Sequence, residues 1–288
     1  MIDLHIHSTA SDGTFSPAEI VYKAKKIELT AISITDHDTT DGIEDFLKAS
    51  EEKTISIIPG VEMAGLWNMR ELHILGFWID WKEQKLQSVL EYSRINRDIR
   101  NSNIINKLNN RGYLITYDEL LDESRGEVIG RPHIASLLVR KKYFKCAQDV
   151  FSACLARGSE CYVQRVIPEM KEVISAIHSA GGLAVWAHPL HRNKHDIRNT
   201  KSDIISLMEL GLDGIEAYYS EYSIKQHNYL LKCAEELNLA VSGGTDYHGS
   251  NQPGIELGTG HGNLKIPDSV YTNLYNYYKK KHNPDSID

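Results

Sequence analysis

The sequence predicts an α/β fold, a barrel-like core with a mainly parallel sheet interrupted by a helical insertion, and three observations predict it. Short β-branched runs alternate with helically spaced apolar residues over residues 2–58, and the alternation returns over residues 168–242. Glycines sit directly behind the helical stretches of the second half, at Gly181-Gly182 and Gly211, where helix C-caps are expected. Residues 81–165 between the two halves carry helical or irregular patterns and no convincing strand.

Residues 2–6, 30–34 and 54–58 are the first three strands. Between the first two, Ser16-Pro17-Ala18-Glu19 is a capping box with proline at the first helical position, so a helix starts there. Ile43, Phe46 and Leu47 give residues 41–52 a helical face. The run 71–78 follows its predecessor too closely for a crossover helix, which makes it a hairpin partner. In the second half, helices 168–179, 201–210 and 223–237 alternate with strands 183–187, 214–217 and 239–242. The core is therefore assigned to residues 1–80 and 166–288, with an insertion subdomain at 81–165. The insertion reads as one long polar helix, 86–108, and two shorter ones, 131–140 and 145–156. Its cationic clusters, Arg94/Arg97/Arg100 and Arg140/Lys141/Lys142, are expected on solvated helix faces, and Lys279-Lys280-Lys281-His282 as a frayed helix end.

The 288 residues hold 41% hydrophobic and 25% charged side chains, proportions of a globular chain that exclude disorder and fibrous repeats. No apolar run approaches the ~20 residues that span a bilayer, and the opening MIDLHIHS lacks the layout of a secretory signal, so no membrane partner is expected. Cys146, Cys154, Cys161 and Cys233 form no CxxC pair, which fits a reducing, cytoplasmic setting. With 32 Lys+Arg against 39 Asp+Glu, the net charge of -7 argues against a duplex nucleic acid partner. The anomaly is 13 histidines beside 4 cysteines.

Position explains many of them. His5-Ile6-His7 places two imidazoles on one face of a strand. Other ligand-type residues follow predicted strands: Asp12 after the first, Asp36-His37-Asp38 after the second, Glu62 after the third, His73 on the 71–78 run, His188 after strand 183–187, and Asp246 with His248 after the last. Strand C-terminal ends form the active face of α/β folds. Nitrogen and carboxylate oxygen without thiolate suit Zn, Mn or Fe. Three divalent ions would bring about six positive charges against the carboxylates of Asp12, Glu62 and Asp246, leaving about +3, so an anionic phosphate can be attracted locally by an acidic protein. Asp36 and Asp38 are expected to orient imidazoles from behind, Thr35 and Thr245 to serve strand-end hydrogen bonds, and His178, His227, His195, His261 and His282 to lie outside the site.

His5-Ile6-His7-Ser8, Thr35-Asp36-His37, Gly60-Val61-Glu62, His73-Ile74-Leu75-Gly76, Ala187-His188-Pro189 and Gly244-Thr245-Asp246-Tyr247-His248 together resemble the motifs of the PHP (polymerase and histidinol phosphatase) family of the amidohydrolase superfamily. The resemblance implies a distorted (β/α)7 TIM-like barrel with a trinuclear metal centre that hydrolyses phosphoesters, with no organic cofactor. It implies that His5, His7, Glu62 and Asp246 bind one ion, that Glu62 bridges to a second held by His73 and His188, and that Asp12, His37 and His248 hold the third. Many histidinol phosphatases carry histidine at the position of Asp12. The aspartate and the insertion segment Gly130-Arg131-Pro132-His133 resemble the branch of 3′,5′-nucleoside bisphosphate phosphatases and the short-RNA exonuclease RNase AM. That likeness implies Arg131 and His191 as phosphate contacts, although His188-Pro189-Leu190-His191-Arg192 departs from the usual His-Pro-Gly-Arg-Tyr pattern. His133 is a further substrate-contact candidate whose alternative role is to cap or buttress a helix.

The chemistry expected is metal-assisted hydrolysis of a small phosphorylated substrate, a nucleotide or short oligonucleotide. An activated hydroxide attacks phosphorus in line, Arg131 orients the phosphate and His191 protonates the leaving oxygen. The leading substrate is a nucleoside 3′,5′-bisphosphate. The alternatives are 5′-3′ hydrolysis of short RNA, a phosphatase for another monoester such as histidinol phosphate or a nucleoside monophosphate, and a metal-binding module without activity.

Overall fold

The computed structural model describes residues 1–50, 55–124, 128–191 and 197–283. Seven strands form one sheet in sequence order: β1 Ile2–Ile6, β2 Ala31–Ile34, β3 Ser56–Trp67, β4 Arg70–Phe77, β5 Leu183–Trp186, β6 Gly214–Tyr219 and β7 Ala240–Gly244. Every residue of β1, β2 and β5 is buried, as helix-covered parallel strands require. Neighbours are parallel except β4, which runs antiparallel to both β3 and β5. The sheet nearly closes into a barrel where Ile6 bridges Tyr247: Asp246 N donates to His5 O at 2.9 Å and His7 N to Tyr247 O at 2.9 Å.

The strand expected at 54–58 runs on to Trp67, beginning at Ser56, while Thr54 lies outside the described residues. Pro59 pairs with Ile34 without ending the ladder, and Gly60 keeps the strands in contact, because a Cβ there would stand 2.4 Å from Ser33 Oγ. The hairpin partner expected at 71–78 is β4, joined to β3 through Asn68 (φ 46°) and Met69 (φ 61°). Two consecutive left-handed residues are the signature of a type I′ turn.

Helices flank the strands. Helix α1, Pro17–Lys26, carries both arms of the expected capping box: Glu19 N donates to Ser16 Oγ, and Ser16 N donates to the Glu19 carboxylate at 2.8 Å. Helix α2 is Ile43–Lys48, and residues 51–52 of the stretch expected to be helical lie outside the described residues. Between β4 and β5 come α3 Gln84–Asn109, α4 Tyr117–Ser124, α5 Arg131–Arg140 and α6 Ala147–Val150. Ile104, Leu108, Leu120, Ile134, Leu138 and Leu155 of this region form an apolar cluster of their own. The helix expected over 145–156 is a short α6 that widens into a π-helical turn, Phe151–Leu155, and α4 has no counterpart in the sequence reading. Arg97 and Arg100 are buried rather than solvated, because α3 packs that face inward.

Helices α7 Met170–Ser179, α8 Ile197–Glu209 and α9 Ile224–Leu237 alternate with β5 to β7, and α10 Asp268–His282 follows. Gly181 (φ 71°) and Gly211 (φ 104°) stand beyond α7 and α8, as expected of helix stops. Among the described residues no helix is long and apolar enough to cross a membrane.

Candidate metal centre

The barrel brings all nine candidate donors together. β1 supplies His5 and the next turn His7 and Asp12; His37 follows β2, His188 follows β5, and Asp246 and His248 follow β7. One donor departs from the strand-end placement expected: Glu62 lies inside β3, because that strand runs on as a hairpin with β4, whereas His73 lies on β4, the run where it is expected. His188 (φ 34°) and Asp246 (φ 58°) hold left-handed backbone conformations uncommon for non-glycine residues, a strain that recurs at functional sites.

Glu62 is the hub. Its Oε1 lies 2.9 Å from His73 Nδ1, 3.0 Å from His188 Nε2 and 3.6 Å from His5 Nε2, and its Oε2 lies 2.8 Å from His37 Nδ1 and 3.4 Å from His7 Nε2. Asp246 Oδ1 stands 3.1 Å from His7 Nε2 and 3.4 Å from His5 Nε2. Asp12 Oδ1 is 3.3 Å from His248 Nε2. Four groups of donor atoms fall within 4.8 Å of one another: His7/Asp12/His37/His248, His5/His188/Asp246, His5/His7/Glu62 and His37/Glu62/His73.

These residues fit divalent cations. His5 Nε2, both ring nitrogens of His7 and Glu62 Oε2 are buried and, despite these close approaches, make no hydrogen bond of good geometry, an arrangement that is expensive unless an ion satisfies it. Burial alone would raise the carboxyls, yet neighbouring imidazoles outweigh it and hold Asp12, Glu62 and Asp246 well below the usual carboxylate range. Burial, with His248 and His37 adding to it, pushes His7 down to about 3. His73 and His248 are pushed up to about 10, because Glu62 and Asp12, their largest opposing partners, outweigh the effect of burial. The carboxylates thus demand positive charge, which protons supply on some rings and divalent ions would supply instead.

A second layer fixes the donors. Glu216 Oε1 lies 3.0 Å from His5 Nδ1, and its Oε2 accepts from His188 N at 2.7 Å. Tyr219 Oη donates to Asp246 Oδ2 at 2.9 Å, and His248 Nδ1 lies 2.8 Å from Asp246 O. Sequence reasoning missed Glu216; its signal is a lone acid between Ile215 and Ala217 in an apolar strand. Asp3 was missed too: it accepts from Thr245 N at 2.9 Å and Thr245 Oγ1 at 2.6 Å, and burial pushes it up to about 6. Thr35 N donates to Ile6 O at 2.8 Å, so both threonines serve the strand ends. Among the described residues, neither Asp36 nor Asp38 hydrogen-bonds an imidazole directly, as a carboxylate orienting one from behind would. Asp36 accepts from Ser8 N, Ser8 Oγ and Ser11 Oγ at 2.7, 2.6 and 2.6 Å, anchoring the Asp12 turn, while Asp38 pairs with Arg97 and Arg165. The serines of the turn after β1 stand nearer to Asp36, and buried arginines from α3 and the segment before α7 stand nearer to Asp38.

Beside the cluster, a cavity of about 180 Å³ is lined by Glu71, His73, Arg131, Trp186, His188 and His191, among others. Arg131 Nη1 donates to Leu155 O at 3.2 Å, and its guanidinium lies 5.8 Å from the Tyr162 ring centre. His191 Nδ1 is 2.7 Å from Glu221 Oε2, and its ring stands 5.6 Å from that of His188. His133 Nδ1 accepts from Gly130 N at 3.0 Å and so caps α5, while its side chain borders a separate cavity of about 580 Å³ with Thr9, Thr14 and Asn251. Away from the cluster, His178 pairs with Asp213, and His227, His261 and His282 bond backbone carbonyls; His195 lies outside the described residues.

A nearly closed seven-strand α/β barrel gathering six imidazoles and three carboxylates at one end defines a metal-dependent hydrolase. Residues 3–157 match the PHP domain, and the chain belongs to that family as a metal-dependent phosphoesterase. It is 34% identical over 268 residues to the 5′-3′ exoribonuclease of Haemophilus influenzae, covering 93% of this chain and 96% of that one. It is 30% identical over 260 residues to the 3′,5′-nucleoside bisphosphate phosphatase of Chromobacterium violaceum, covering 89% and 90%. A crystal structure of a candidate metal-dependent phosphoesterase from Bifidobacterium adolescentis superposes with a TM-score of 0.84 at 31% identity over 95% of each chain.

Proposed function

We propose that the protein hydrolyses the 3′-phosphate of a nucleoside 3′,5′-bisphosphate, releasing the nucleoside 5′-monophosphate and phosphate. The observation that carries this reading is the shared cavity: Arg131 and His191 line the same wall as the metal-ligand candidates His73 and His188. In this reading His5, His7, Glu62 and Asp246 would hold one divalent ion, Glu62 with His73 and His188 would hold a second, and Asp12, His37 and His248 would hold a third. When bound, Mn, Zn or Fe supplies Lewis acidity and lowers the pKa of the attacking water. Arg131 grips phosphoryl oxygens with its planar fork, already anchored by Leu155 O. His191, beside Glu221, hands a proton to the departing ribose oxygen. Tyr219 holds Asp246 in place through the 2.9 Å hydrogen bond.

A second reading, 5′-3′ hydrolysis of short RNA, is supported by the 34% identity to the Haemophilus exoribonuclease. The two are separated by phosphate and nucleotide release from nucleoside 3′,5′-bisphosphates, mononucleotides, short 5′-phosphorylated RNAs and histidinol phosphate with added Mn²⁺. The highest kcat/KM is expected for the bisphosphate. A higher value for RNA dinucleotides and trinucleotides would replace the first reading by the second, and bound metal without turnover of any ester would leave a binding module.

A further inference from the structure

We propose that Arg165 is a positioning residue that sets two metal-ligand candidates, His37 and His73, by gripping the carboxylates beside them. Its side chain is only 4% exposed, with Nη1 2.9 Å from Asp38 Oδ2 and Nη2 3.4 Å from Glu71 Oε1. Each acid is coupled to a different donor. Asp38 directly follows His37, has a left-handed φ of 53°, donates its N–H to Glu62 O at 2.9 Å and accepts from Ala64 N at 3.2 Å. Its carboxylate is held by Arg165 and by Arg97 Nη2 at 2.5 Å, so the His37 turn is pinned from two sides. Glu71 Oε1 stands 3.6 Å from His73 Nε2, while Nδ1 of the same ring lies 2.9 Å from Glu62 Oε1. Glu71 therefore stands at ion-pair distance beside the outer nitrogen while Nδ1 faces the cluster, the side from which a carboxylate orients a ligating imidazole.

Glu71 is 47% exposed and would swing into solvent without its counterion. Arg165 lies in the segment between the π-helical turn and α7, so it ties that segment to the loop after β2 through Asp38 and to β4 through Glu71. Burying a guanidinium carries a desolvation penalty that an apolar side chain would avoid, so its two carboxylate partners are what hold it there.

The inference rests on the nine residues being a metal centre, and its test separates the two. Mn²⁺ bound per chain is measured by emission spectroscopy after equilibrium dialysis, alongside kcat and KM for the bisphosphate, in the full-length protein and in Arg165→Met, Arg165→Lys and Glu71→Gln. Arg165→Met is expected to weaken the most loosely held ion about 10- to 100-fold, the range seen when a ligand's outer partner is lost. Its kcat at limiting Mn²⁺ falls in step and returns with excess Mn²⁺, while KM changes less than about threefold. Arg165→Lys keeps Mn²⁺ affinity within about fivefold, since the charge remains. Wild-type Mn²⁺ affinity in Arg165→Met overturns the inference. If that variant does not fold, Glu71→Gln decides alone: about tenfold weaker Mn²⁺ supports it and unchanged affinity overturns it. A wild-type chain that binds no Mn²⁺ removes the metal centre and this inference together.

Discussion

His5 Nδ1 stands 3.0 Å from Glu216 Oε1, and neither side chain reaches solvent. The contact commits one ring nitrogen outward and leaves Nε2 for the cluster, where it is buried without a hydrogen-bond partner. Glu216→Gln keeps the shape but removes the charge that polarises the ring. Divalent-ion affinity is expected to fall about 10- to 100-fold, measured by Mn²⁺ titration.

His37 and His73 sit at the rim, so their removal should spare the fold. His37→Ala or His73→Ala is expected to reduce phosphate release by more than about 100-fold with an unchanged far-ultraviolet circular dichroism spectrum. Full activity in the His37 variant would rule out a role for the Asp12/His37/His248 group.

Arg131 is anchored by a carbonyl and an aromatic face but has no carboxylate within ion-pair distance among the described residues. Arg131→Ala is expected to raise KM for phosphate esters about 10- to 100-fold through the loss of charge-assisted hydrogen bonds. A changed kcat with unchanged KM would assign the residue to the transition state instead.

Metal should stabilise the fold, because the donors come from strands across the whole barrel. At a hundredfold excess of Mn²⁺ over its Kd the gain is about 2.7 kcal/mol, and chelation is expected to lower Tm by several degrees in calorimetry. Identical melting curves with and without chelator would count against the site.

Asp213 gives a pH signature far from the cluster. It accepts from Ala184 N at 2.9 Å, lies 2.8 Å from His178 Nε2 and pairs with Lys281. Burial opposes ionisation, but these partners outweigh it and lower its pKa. The unfolded chain therefore binds more protons than the folded one as pH falls through the carboxylate range, and the contribution of Asp213, fully present above pH 3.8, disappears as pH drops through the depressed folded value. Asp213→Asn should cost about 1–3 kcal/mol at pH 7 and progressively less under acid, by urea denaturation at pH 7 and pH 3.

The nine donors leave a mark in one dimension because each sits in or directly after a β-branched run, and the reversal of β4 shows in the short spacing from β3. Their outer partners leave almost none. Glu216 meets His5 across 211 residues and Asp3 meets Thr245 across 242, so only the closed barrel reveals either pair. The length of β3 is likewise decided by β4, which supplies partners as far as Trp67. Arg97 and Arg100 read as solvated because charge on a long helix is ordinarily outward; Asp38 draws Arg97 inward, and Arg100 is carried with it on the same buried face.

Closure of the sheet through Ile6 and Tyr247 has a consequence for synthesis. His5 precedes Asp246 by 241 residues, so the ribosome makes the two donors far apart in time. Six of the nine donors are made by His73, but the set stays incomplete until His188, Asp246 and His248 follow, and the full cluster waits for the last strand to dock against the first. A product truncated before β7 would lack Asp246 and His248, two of the nine donors, so the complete cluster reports completion of the barrel.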